Sequence, residues 1–297
     1  MRILVSGSSG FIGTALCAVL GNDGHDIRRL VRGKPAAHDI SWAPYAGTVD
    51  VSKLENFDAV IHLGGRSIAG SRWTSSSKRE ILESRTIPTA FLATQLAGLH
   101  HKPGLFLCAS AVGYYGDRPD EHLDESSSPG TGFLSDVCVA WESACRPAVD
   151  AGIRTVNLRI GMVLSAGGGA LVQMLTPFRI GFGGRLGSGK QYWSWITLTD
   201  LVSCIRLLLT HNTLSGPVNA VTPHPVTNAE FTTALANTLR RPAIFPAPAL
   251  ALRILLGEMA EPLLLASARV APCKLLSAGF AFSSPDLEPA LRQLLSK

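Results

Sequence analysis

The first thirteen residues constrain the fold most, because a short apolar run leads into a turn with three evenly spaced glycines. Arg2 to Ser6 has the composition of a buried strand, Gly7, Gly10 and Gly13 follow, and a helical pattern begins at Phe11. A strand that continues through a glycine turn into a helix presents free backbone N–H groups and the helix dipole to an anion. We expect Gly7 to permit the turn, Gly10 to let the backbone approach a diphosphate, and Gly13 to let the helix pack on the strand. The segment therefore predicts dinucleotide binding.

The end of the second predicted strand, His25 to Val31, distinguishes the two nicotinamide cofactors. NAD-binding proteins usually have Asp or Glu about 20 residues beyond the glycines, where the carboxylate binds the ribose 2′-hydroxyl. This chain has Arg32, Gly33 and Lys34 there. No carboxylate would repel a 2′-phosphate, and two cations are available to bind it, although Lys and Arg are mostly exposed in any protein. The sequence therefore predicts NADP in preference to NAD.

The composition is typical of a globular protein with one large core or two domains. The 297 residues are 46% hydrophobic and 16% charged, with mean hydropathy +0.23 and net charge +5. The basic residues are scattered without long runs, which argues against a nucleic-acid partner. The most apolar long stretch, 247–268, is interrupted by prolines and charged residues, so we expect neither a transmembrane span nor membrane association.

Six dispersed cysteines form no C-x-x-C pair, which is typical of reduced and mostly buried thiols. No signal-peptide pattern precedes the first predicted strand, so we expect a cytoplasmic protein. The histidines have no spacing typical of metal ligands, and no metal site is predicted.

Strand and helix patterns alternate through the first half of the chain. Apolar strand-like runs at Asp58–Leu63, Leu105–Ala109 and Arg154–Ile160 are separated by helical patterns at Ser75–Leu99 and Gly132–Ala151. This alternation predicts an α/β fold with a Rossmann-type, doubly wound parallel sheet covered by helices on both faces. Ligands bind such sheets beyond the carboxyl ends of the strands, so functional residues should follow each strand.

The pattern changes near residue 161, where glycine and proline become frequent and the alternation stops. We expect a dinucleotide-binding Rossmann domain over 1–160 and a smaller, mixed substrate-binding region over 161–297, interleaved with the first. Within the second region, Gly181–Lys190 nearly matches a P-loop. However, Gln191 stands where Ser or Thr would bind magnesium, and a strand-like segment follows instead of a helix. A nucleoside-triphosphate site is therefore not expected.

Together these motifs resemble the extended and atypical branches of the short-chain dehydrogenase/reductase superfamily. The glycine turn has the G-x-x-G-x-x-G spacing of those branches, and Ser110–Gly116 resembles their serine-containing strand end followed by Tyr-Gly. Trp195–Leu201 resembles their F-V-H-V-D-D-L segment, and Gly279–Leu291 is similar to the tail of an atypical subgroup of NAD(P)-dependent epimerase family proteins. The resemblance covers nearly the whole chain, and it implies a Rossmann fold with bound NADP.

The chain departs from the superfamily at the residues that carry its chemistry. There a serine, a tyrosine and a lysine support proton transfer beside the nicotinamide. Ser110 matches the serine. Where Y-x-x-x-K is expected, alignment on Phe133 puts Val137 at the lysine position, and alignment on Leu134 puts Cys138 there. The usual acid/base and its cation are missing under either alignment.

Tyrosine and cysteine side chains are the candidates for a substitute acid/base. Tyr114 or Tyr115 could face the nicotinamide, or pack over the cleft as loop aromatics. Cys138 could be a thiol with a low pKa, or a small buried hydrophobic residue. We take Ser110 and Tyr115 as the candidate catalytic residues.

The resemblance also implies a set of cofactor contacts at the turn, at three strand ends and on the long helix. The set comprises Gly7, Gly10, Phe11, Ile12, Gly13, Arg32, Leu63, Gly64, Glu80, Arg85 and Val163. Arg85 stands where relatives have a supporting asparagine. It could reach the cofactor or pair with Glu80, and it could equally form a helix-surface ion pair with Glu80 or Glu83.

Two functions stay open at this point. The first is an NADP(H)-dependent oxidoreductase or epimerase-like enzyme with a rearranged acid/base and an unknown small-molecule substrate near Gly181–Lys190. Arg179, Arg185 and Lys190 favour an anionic or sugar-nucleotide-like substrate if they are not simply solvated, and Ser71–Trp73 are further candidates for lining its site. The second is a non-catalytic NADPH-binding sensor or interaction protein, favoured by the missing tyrosine and lysine. Relatives often pair through the helices that correspond to Ser75–Leu99 and Gly132–Ala151, so a homodimer is one candidate state and the oligomeric state stays open.

Overall fold

The computed structural model of the protein describes residues 1–70 and 72–296, and Ser71 of the predicted substrate segment lies outside them. The strands are β1 (Arg2–Ser6), β2 (Asp26–Val31), β3 (Ile40–Ala43), β4 (Thr48–Val49), β5 (Ala59–His62), β6 (Leu105–Ala111), β7 (Arg118–Leu123), β8 (Arg154–Ile160), β9 (Met162–Ser165), β10 (Tyr192–Trp193), β11 (Trp195–Thr197), β12 (Gly216–Ala220), β13 (Val226–Thr227) and β14 (Ala268–Val270). The helices are α1 (Phe11–Asn22), α2 (Ser75–Ala97), α3 (Phe133–Ser143), α4 (Arg146–Asp150), α5 (Gly169–Arg179), α6 (Leu198–Thr210), α7 (Asn228–Leu239), α8 (Ala249–Leu256), α9 (Cys273–Ser277) and α10 (Leu287–Leu295).

An eight-stranded sheet with the order β12-β8-β6-β5-β1-β2-β3-β4 forms the centre of the fold. All its neighbouring strands run parallel except β3 and β4. The predicted Rossmann-type α/β architecture is therefore confirmed. The strand order reverses between β1 and β5, and ligands of such sheets bind at the crevice outside this point.

Successive side chains of β1 pack on opposite faces of this sheet. Ile3 and Val5 belong to a core cluster with α1 and α6, whereas Leu4 belongs to a second cluster with α2 and Trp141 of α3. Because side chains alternate across a strand, a fully apolar strand requires helices on both sides. This double covering fixes the carboxyl ends of β1, β2 and β5 at one edge, where the sheet is open to a ligand.

The second half of the chain contributes a strand to the eight-stranded sheet, which we call the main sheet. Strand β12 pairs in parallel with β8, and α6 packs in the same cluster as α1. A third cluster joins α5, α7 and α10, and it includes Trp193 and Trp195, which are 9% and 0% exposed. These two tryptophans pack as core residues. The domain boundary at residue 160 stays a prediction.

One helix differs from the pattern expected of it. The predicted helix over Gly132–Ala151 is divided into α3 and α4, and Pro147 is the second residue of α4. Proline has no N–H to continue the hydrogen bonding of a preceding helix, but it fits the first turn of a new one. Pro88, in contrast, lies inside the continuous α2. Within the described residues, no helix has the length and apolar character that crossing a bilayer would require.

Candidate functional site

The glycine turn after β1 is closed by contacts that leave no room for side chains. Gly7 has φ +73°, and a Cβ there would lie 2.8 Å from the Leu63 carbonyl carbon. A Cβ on Gly13 would lie 2.2 Å from the Gly7 carbonyl oxygen. The Gly10 N–H donates to that same oxygen at 3.0 Å. Gly7 and Gly13 are therefore required by sterics, which agrees with the packing reasons predicted for them.

Helix α1 starts at this turn without a side-chain cap. Gly10 is its N-cap residue and accepts only a backbone hydrogen bond, from Thr14 N–H at 2.9 Å. The Phe11 ring lies against Gly169, where a Cβ would be 3.2 Å from Phe11 Cε1 and 3.1 Å from the Val163 carbonyl oxygen. Phe11 and Val163 thus meet at the start of α5, while the first N–H groups of α1 stay uncapped by side chains and suit an anion.

A cleft of about 690 Å³ opens beside this turn. It is bounded by the ends of β1, β2, β3 and β5 and by one face of α2, and we call it the main cleft. Its lining residues are Ser6, Gly7, Ser8, Ser9, Leu30, Val31, Arg32, Gly33, Trp42, Tyr45, His62, Gly64, Gly65, Arg66, Glu80, Glu83, Ser84 and Pro88. The volume is typical of a cofactor site. Of the residues predicted to contact a cofactor, Gly7, Arg32, Gly64 and Glu80 line the main cleft.

The remaining predicted contacts lie around the main cleft without lining it. Gly10, Phe11, Ile12 and Gly13 form the turn and the start of α1, Leu63 follows β5, and Val163 is in β9. Leu63 still supports the turn, since its N–H donates to the Ser6 carbonyl at 3.0 Å. Their roles as cofactor contacts stay predictions.

Aromatic residues at the end of β3 line the main cleft and were not predicted. Trp42 is buried, and its ring meets that of His62 edge-on at 6.0 Å and stacks on Phe91 at 6.3 Å. Tyr45 is 55% exposed on the same side. Tyr45 follows β3, so the rule that functional residues follow each strand points to it once β3 is placed in the sheet. Trp42 lies within β3, and that rule does not find it.

His62 is a buried imidazole at the end of β5. Its Nδ1 lies 2.5 Å from the Ser6 hydroxyl oxygen, and its Nε2 has no hydrogen-bond partner among the residues described. Burial lowers the pKa of His62 to about 4. The ring is therefore neutral near pH 7, and it brings a polar but uncharged group to the floor of the main cleft.

Two arginines bring positive charge to the main cleft. Arg32 is exposed at the end of β2, and no carboxylate of that strand end lines the cleft beside it. Arg66, which the sequence did not indicate, follows β5 and forms an ion pair with Glu80 of α2. Glu80 therefore lines the cleft as a partially neutralised carboxylate.

Arg85 does not form the ion pair with Glu80 or Glu83 that was one of its expected roles. Its guanidinium donates to the Ile81 carbonyl at 3.0 Å and to the Arg66 carbonyl at 2.9 Å, and it lies 5.1 Å above the Trp141 ring. Burial lowers the pKa of Arg85. That expectation is corrected for a geometric reason: Arg85 points inward under the segment after β5, where backbone carbonyls accept from it.

A buried charged network lies at the ends of β6 and β8. Ser110 is 3% exposed, and its hydroxyl donates to Glu142 Oε1 at 2.7 Å. Glu142 of α3 accepts two hydrogen bonds from Arg159, at 2.8 and 2.9 Å. Arg159 stands directly opposite Ser110 in the pairing of β6 with β8. We call Ser110, Glu142 and Arg159 the buried network.

Tyr115 joins the buried network from a fully buried position. Its hydroxyl accepts from Arg159 Nη1 at 3.0 Å and lies 2.7 Å from Asn219 Oδ1 and 2.9 Å from the Asp124 carbonyl oxygen. Burial raises the pKa of Tyr115 to about 12. A general acid or base must come within hydrogen-bond reach of the substrate. The geometry therefore favours the packing role for Tyr115, and its catalytic role has no support from this conformation.

The positions matched to the missing tyrosine and lysine are apolar or un-ionised. A Cβ on Gly113 would lie 3.4 Å from Leu134 Cβ and 3.9 Å from Cys138 Sγ, so α3 packs directly on the segment after β6. Burial raises the pKa of Cys138 to about 11. The thiol is thus protonated near pH 7, which favours its interpretation as a small buried hydrophobic residue.

Two family models match the chain. The NAD dependent epimerase/dehydratase family matches residues 3–220, and a domain of unknown function, DUF1731, matches residues 247–294. The first match covers the main sheet and both sides of the main cleft. The second covers α8, α9 and α10.

Several relatives align over nearly the whole length. An epimerase family protein of Mycobacterium bovis is 43% identical over 97% of this chain and 96% of its own, and human epimerase family protein SDR39U1 is 36% identical over all of both chains. The crystal structure of human SDR39U1 with NADPH superposes with a TM-score of 0.90 at 34% identity, covering 99% of each chain. A nucleoside-diphosphate sugar epimerase of Corynebacterium glutamicum gives a TM-score of 0.84 at 36% identity, covering 99% of this chain and 58% of the other. The chain belongs to the NAD dependent epimerase/dehydratase family, among the SDR39U1-like epimerase family proteins.

Proposed function

We propose that the protein binds NADPH in the main cleft, in preference to NADH, and acts as an oxidoreductase or epimerase-like enzyme without a Tyr-Lys acid/base. The observation that carries the NADPH proposal is Arg32, which lines the main cleft at the strand end where an NAD-binding protein would have a carboxylate. Human SDR39U1, a relative over the full length, has a structure with NADPH.

Each part of the dinucleotide has a complementary surface in the main cleft. The glycine turn and the uncapped start of α1 suit the diphosphate, because their N–H groups and the helix dipole favour an anion. Arg32 suits the 2′-phosphate, and Arg66 adds a second cation. Trp42 and Tyr45 offer aromatic surface to a base. When bound, NADPH would supply a hydride.

At the reaction end, the proposed substrate-orienting group is Ser110. Its hydroxyl is held by Glu142 at 2.7 Å, and Arg159 holds Glu142 in turn. This pairing fixes the Ser110 oxygen at the carboxyl end of β6, the edge of a parallel sheet where ligands bind. To orient a substrate carbonyl, the Ser110 O–H would have to turn from Glu142 to the carbonyl oxygen, because a carbonyl oxygen only accepts hydrogen bonds. Proton transfer would still need another donor, such as water.

One observation favours a second function, a non-catalytic NADPH-binding sensor. The position of the superfamily tyrosine holds Phe133 or Leu134, and Cys138 beside it is buried with a raised pKa. Neither alignment supplies a group that exchanges a proton near pH 7.

Two finer expectations stay proposals. Arg179, Arg185 and Lys190 are exposed and do not line the main cleft, so an anionic or sugar-nucleotide-like substrate rests on the sequence alone. A cytoplasmic location also stays a proposal, and one relative in Arabidopsis thaliana is described as chloroplastic.

Calorimetric titration of nucleotide-free protein with NADPH and NADH tests the cofactor proposal. Arg32→Ala should weaken NADPH binding by about 10- to 100-fold and leave NADH binding unchanged, because one charge-assisted hydrogen bond to phosphate is lost. Arg28→Ala is the matched control, since Arg28 lies on the same strand but binds Asp26 and His38. Tighter binding of NADH than of NADPH by the unmodified protein would contradict the proposal.

Turnover separates the enzyme from the sensor. The NADPH complex should be oxidised by a member of a panel of carbonyls, quinones and nucleotide-sugars, and Ser110→Ala should lower kcat while NADPH affinity stays the same. Tight NADPH binding with no oxidation by the panel would instead support the sensor.

A further inference from the structure

Seven large apolar side chains in the second half of the chain are each more than half exposed to solvent. They are Ile180, Phe182, Ile244, Phe245, Leu250, Ile254 and Leu255, with exposed fractions from 53% to 72%. Across residues 1–70 and 72–296, the other large apolar side chain exposed to this extent is Tyr45 in the main cleft. Single exposed apolar residues need no explanation, whereas a cluster marks an interaction surface. We call the seven residues the apolar patch.

The two chain segments that carry the apolar patch lie side by side. The rings of Phe182 and Phe245 stack with centroids 5.5 Å apart. Nearby, Gly187 N–H donates to the Ala247 carbonyl and Ala247 N–H donates to the Arg185 carbonyl, both at 2.9 Å. Helix α8 begins two residues after Ala247, so its side chains extend the same surface.

Helix α8 contributes the most unusual part of the patch. It has eight residues, ALALRILL, and none of them is buried. Leu250 and Ile254 are four residues apart and therefore share one face of the helix, with Leu255 beside them. The Ile254 carbonyl accepts from Arg72 Nη2 at 3.1 Å, which ties the helix to the rest of the protein. An apolar helix face of this kind normally packs against another apolar surface.

The two segments that carry the apolar patch are rich in positive charge. Residues 176–190 and 240–257, which carry all seven side chains, contain six cations and no acidic residue: Arg179, Arg185, Lys190, Arg240, Arg241 and Arg253. Arg253 pairs with Glu261, and the other five form no ion pair among the described residues. Glu258, the acidic residue just beyond α8, is itself paired with Lys78. The surface is therefore apolar and cationic together.

The positive charge near the apolar patch favours a membrane surface over a second copy of the chain as its binding partner. In a two-fold dimer through the patch, five unpaired cations would face the same five cations, which opposes association. Protein hot spots are enriched in Trp, Tyr and Arg, whereas this patch is built of Leu, Ile and Phe with flanking arginines. Aliphatic side chains and Phe beside Arg and Lys are typical of helices that lie at a membrane interface.

We propose that the apolar patch docks the protein on an anionic phospholipid surface. The side chains of α8, Phe182 and Phe245 enter the boundary between headgroups and acyl chains, and the surrounding cations face the lipid phosphates. The inference departs from the expectation of no membrane association. That expectation rested on the lack of a spanning segment, and a protein that lies on a bilayer needs none.

Vesicle flotation of the full chain tests this proposal. We expect the protein to float with vesicles of phosphatidylcholine and phosphatidylglycerol at low salt, and to stay unbound with phosphatidylcholine alone. High salt should weaken the binding, because exposed charges are screened. Arg240→Gln with Arg241→Gln should lower the partition coefficient by about fivefold for each charge removed.

Apolar variants separate insertion from simple charge attraction. Leu250→Ser with Ile254→Ser should lower anionic-vesicle binding by about tenfold or more while leaving NADPH binding unchanged, since both side chains are exposed and neither lines the main cleft. Val149→Ser with Leu276→Ser, two exposed apolar residues outside the patch, should leave vesicle binding unchanged. Unchanged melting temperatures would show that the variants are folded.

Three results would overturn the proposal. The first is no flotation with anionic vesicles at low salt. The second is equal flotation of the Leu250→Ser, Ile254→Ser variant and the unmodified protein. The third is a dimer in solution that this variant converts to a monomer, since the patch would then be a protein interface. None of these results depends on cofactor binding or turnover, so the proposed function is tested separately.

Discussion

The two ends of the ligand-binding edge are built in different ways. At the nucleotide end, beside β1 and β5, the geometry depends on side chains that are absent: a Cβ on Gly13 would lie 2.2 Å from the Gly7 oxygen. At the reaction end, beside β6 and β8, it depends on charged side chains that are buried, and Arg159 and Glu142 are joined at 2.8 Å. One end is determined by backbone sterics and the other by paired charge.

The two ends differ in whether their polar groups are free to contact a ligand or are already bonded to one another. At the nucleotide end, the first N–H groups of α1 have no side-chain cap, and Arg32 lies exposed in the lining of the main cleft. At the reaction end, Ser110, Glu142, Arg159 and Tyr115 use their polar groups on one another. A network that is satisfied internally stabilises the fold and orients Ser110, but it leaves little capacity for proton transfer. Substitutions at the two ends should therefore have different consequences.

The largest effect is expected from breaking the buried network. Arg159→Met leaves Glu142 as an unpaired buried carboxylate, and we expect the free energy of unfolding to fall by about 3–5 kcal/mol in urea titrations. Adding Glu142→Leu should restore part of this loss. The exposed pair Arg146 with Asp150 is the control, and Arg146→Met should cause no measurable change. Equal effects at the two pairs would mean that burial is not what distinguishes the reaction end.

At the nucleotide end, we expect a steric clash to disrupt the glycine turn when a side chain is introduced at Gly13. Gly13→Ala forces the α1 turn apart, so we expect a loss of about 3 kcal/mol in the free energy of unfolding and loss of NADPH binding by calorimetry. Gly21→Ala, in the same helix with open space around it, should be neutral or slightly stabilising. If Gly13→Ala retained normal NADPH affinity, the close packing of α1 on the turn would not be a requirement for binding.

Acid should weaken the nucleotide end through His62. Its pKa is about 4 in the folded protein and near 6.5 when unfolded, so the unfolded chain binds more protons between these values. Stability is present above about pH 6.5 and is lost as pH falls towards 4, by at most about 3 kcal/mol. Urea midpoints between pH 7 and 4 should fall less steeply for His62→Gln than for the unmodified protein. The same steepness in both would show that other groups cause the acid sensitivity.

The smallest effect distinguishes packing from catalysis at Tyr115. Tyr115→Phe removes the acceptor of Arg159 Nη1, so we expect a loss of about 1–2 kcal/mol in unfolding free energy and unchanged NADPH affinity. Tyr114→Phe is the neighbouring control, because the Tyr114 hydroxyl forms no hydrogen bond with the described residues. A Tyr115→Phe variant with normal stability but no turnover would restore Tyr115 as the acid/base.

The sequence indicated the position of a residue in the fold where that position depends on near neighbours in the chain. Gly7 and Arg32 were identified because a strand, a turn and the next strand end are adjacent in the chain. Arg66 was missed because its place in the main cleft depends on Glu80 of a helix that begins after it. The ion pair expected of Arg85 was wrong for the same reason, since the Arg66 carbonyl that accepts from it is presented by the folded segment after β5. Its role as a cofactor contact stays a prediction.

The sequence by itself determined the parallel α/β fold, the glycine turn and the missing tyrosine and lysine, because steric limits and residue chemistry act locally. Only the tertiary structure decided that Arg159 meets Glu142, since the register of β6 with β8 and the packing of α3 bring distant residues together. It also decided that α8 stays uncovered, although its apolar residues alone would predict burial. A helix is buried only where another part of the chain packs against it. Among the described residues, no part of the chain packs over the apolar face of α8.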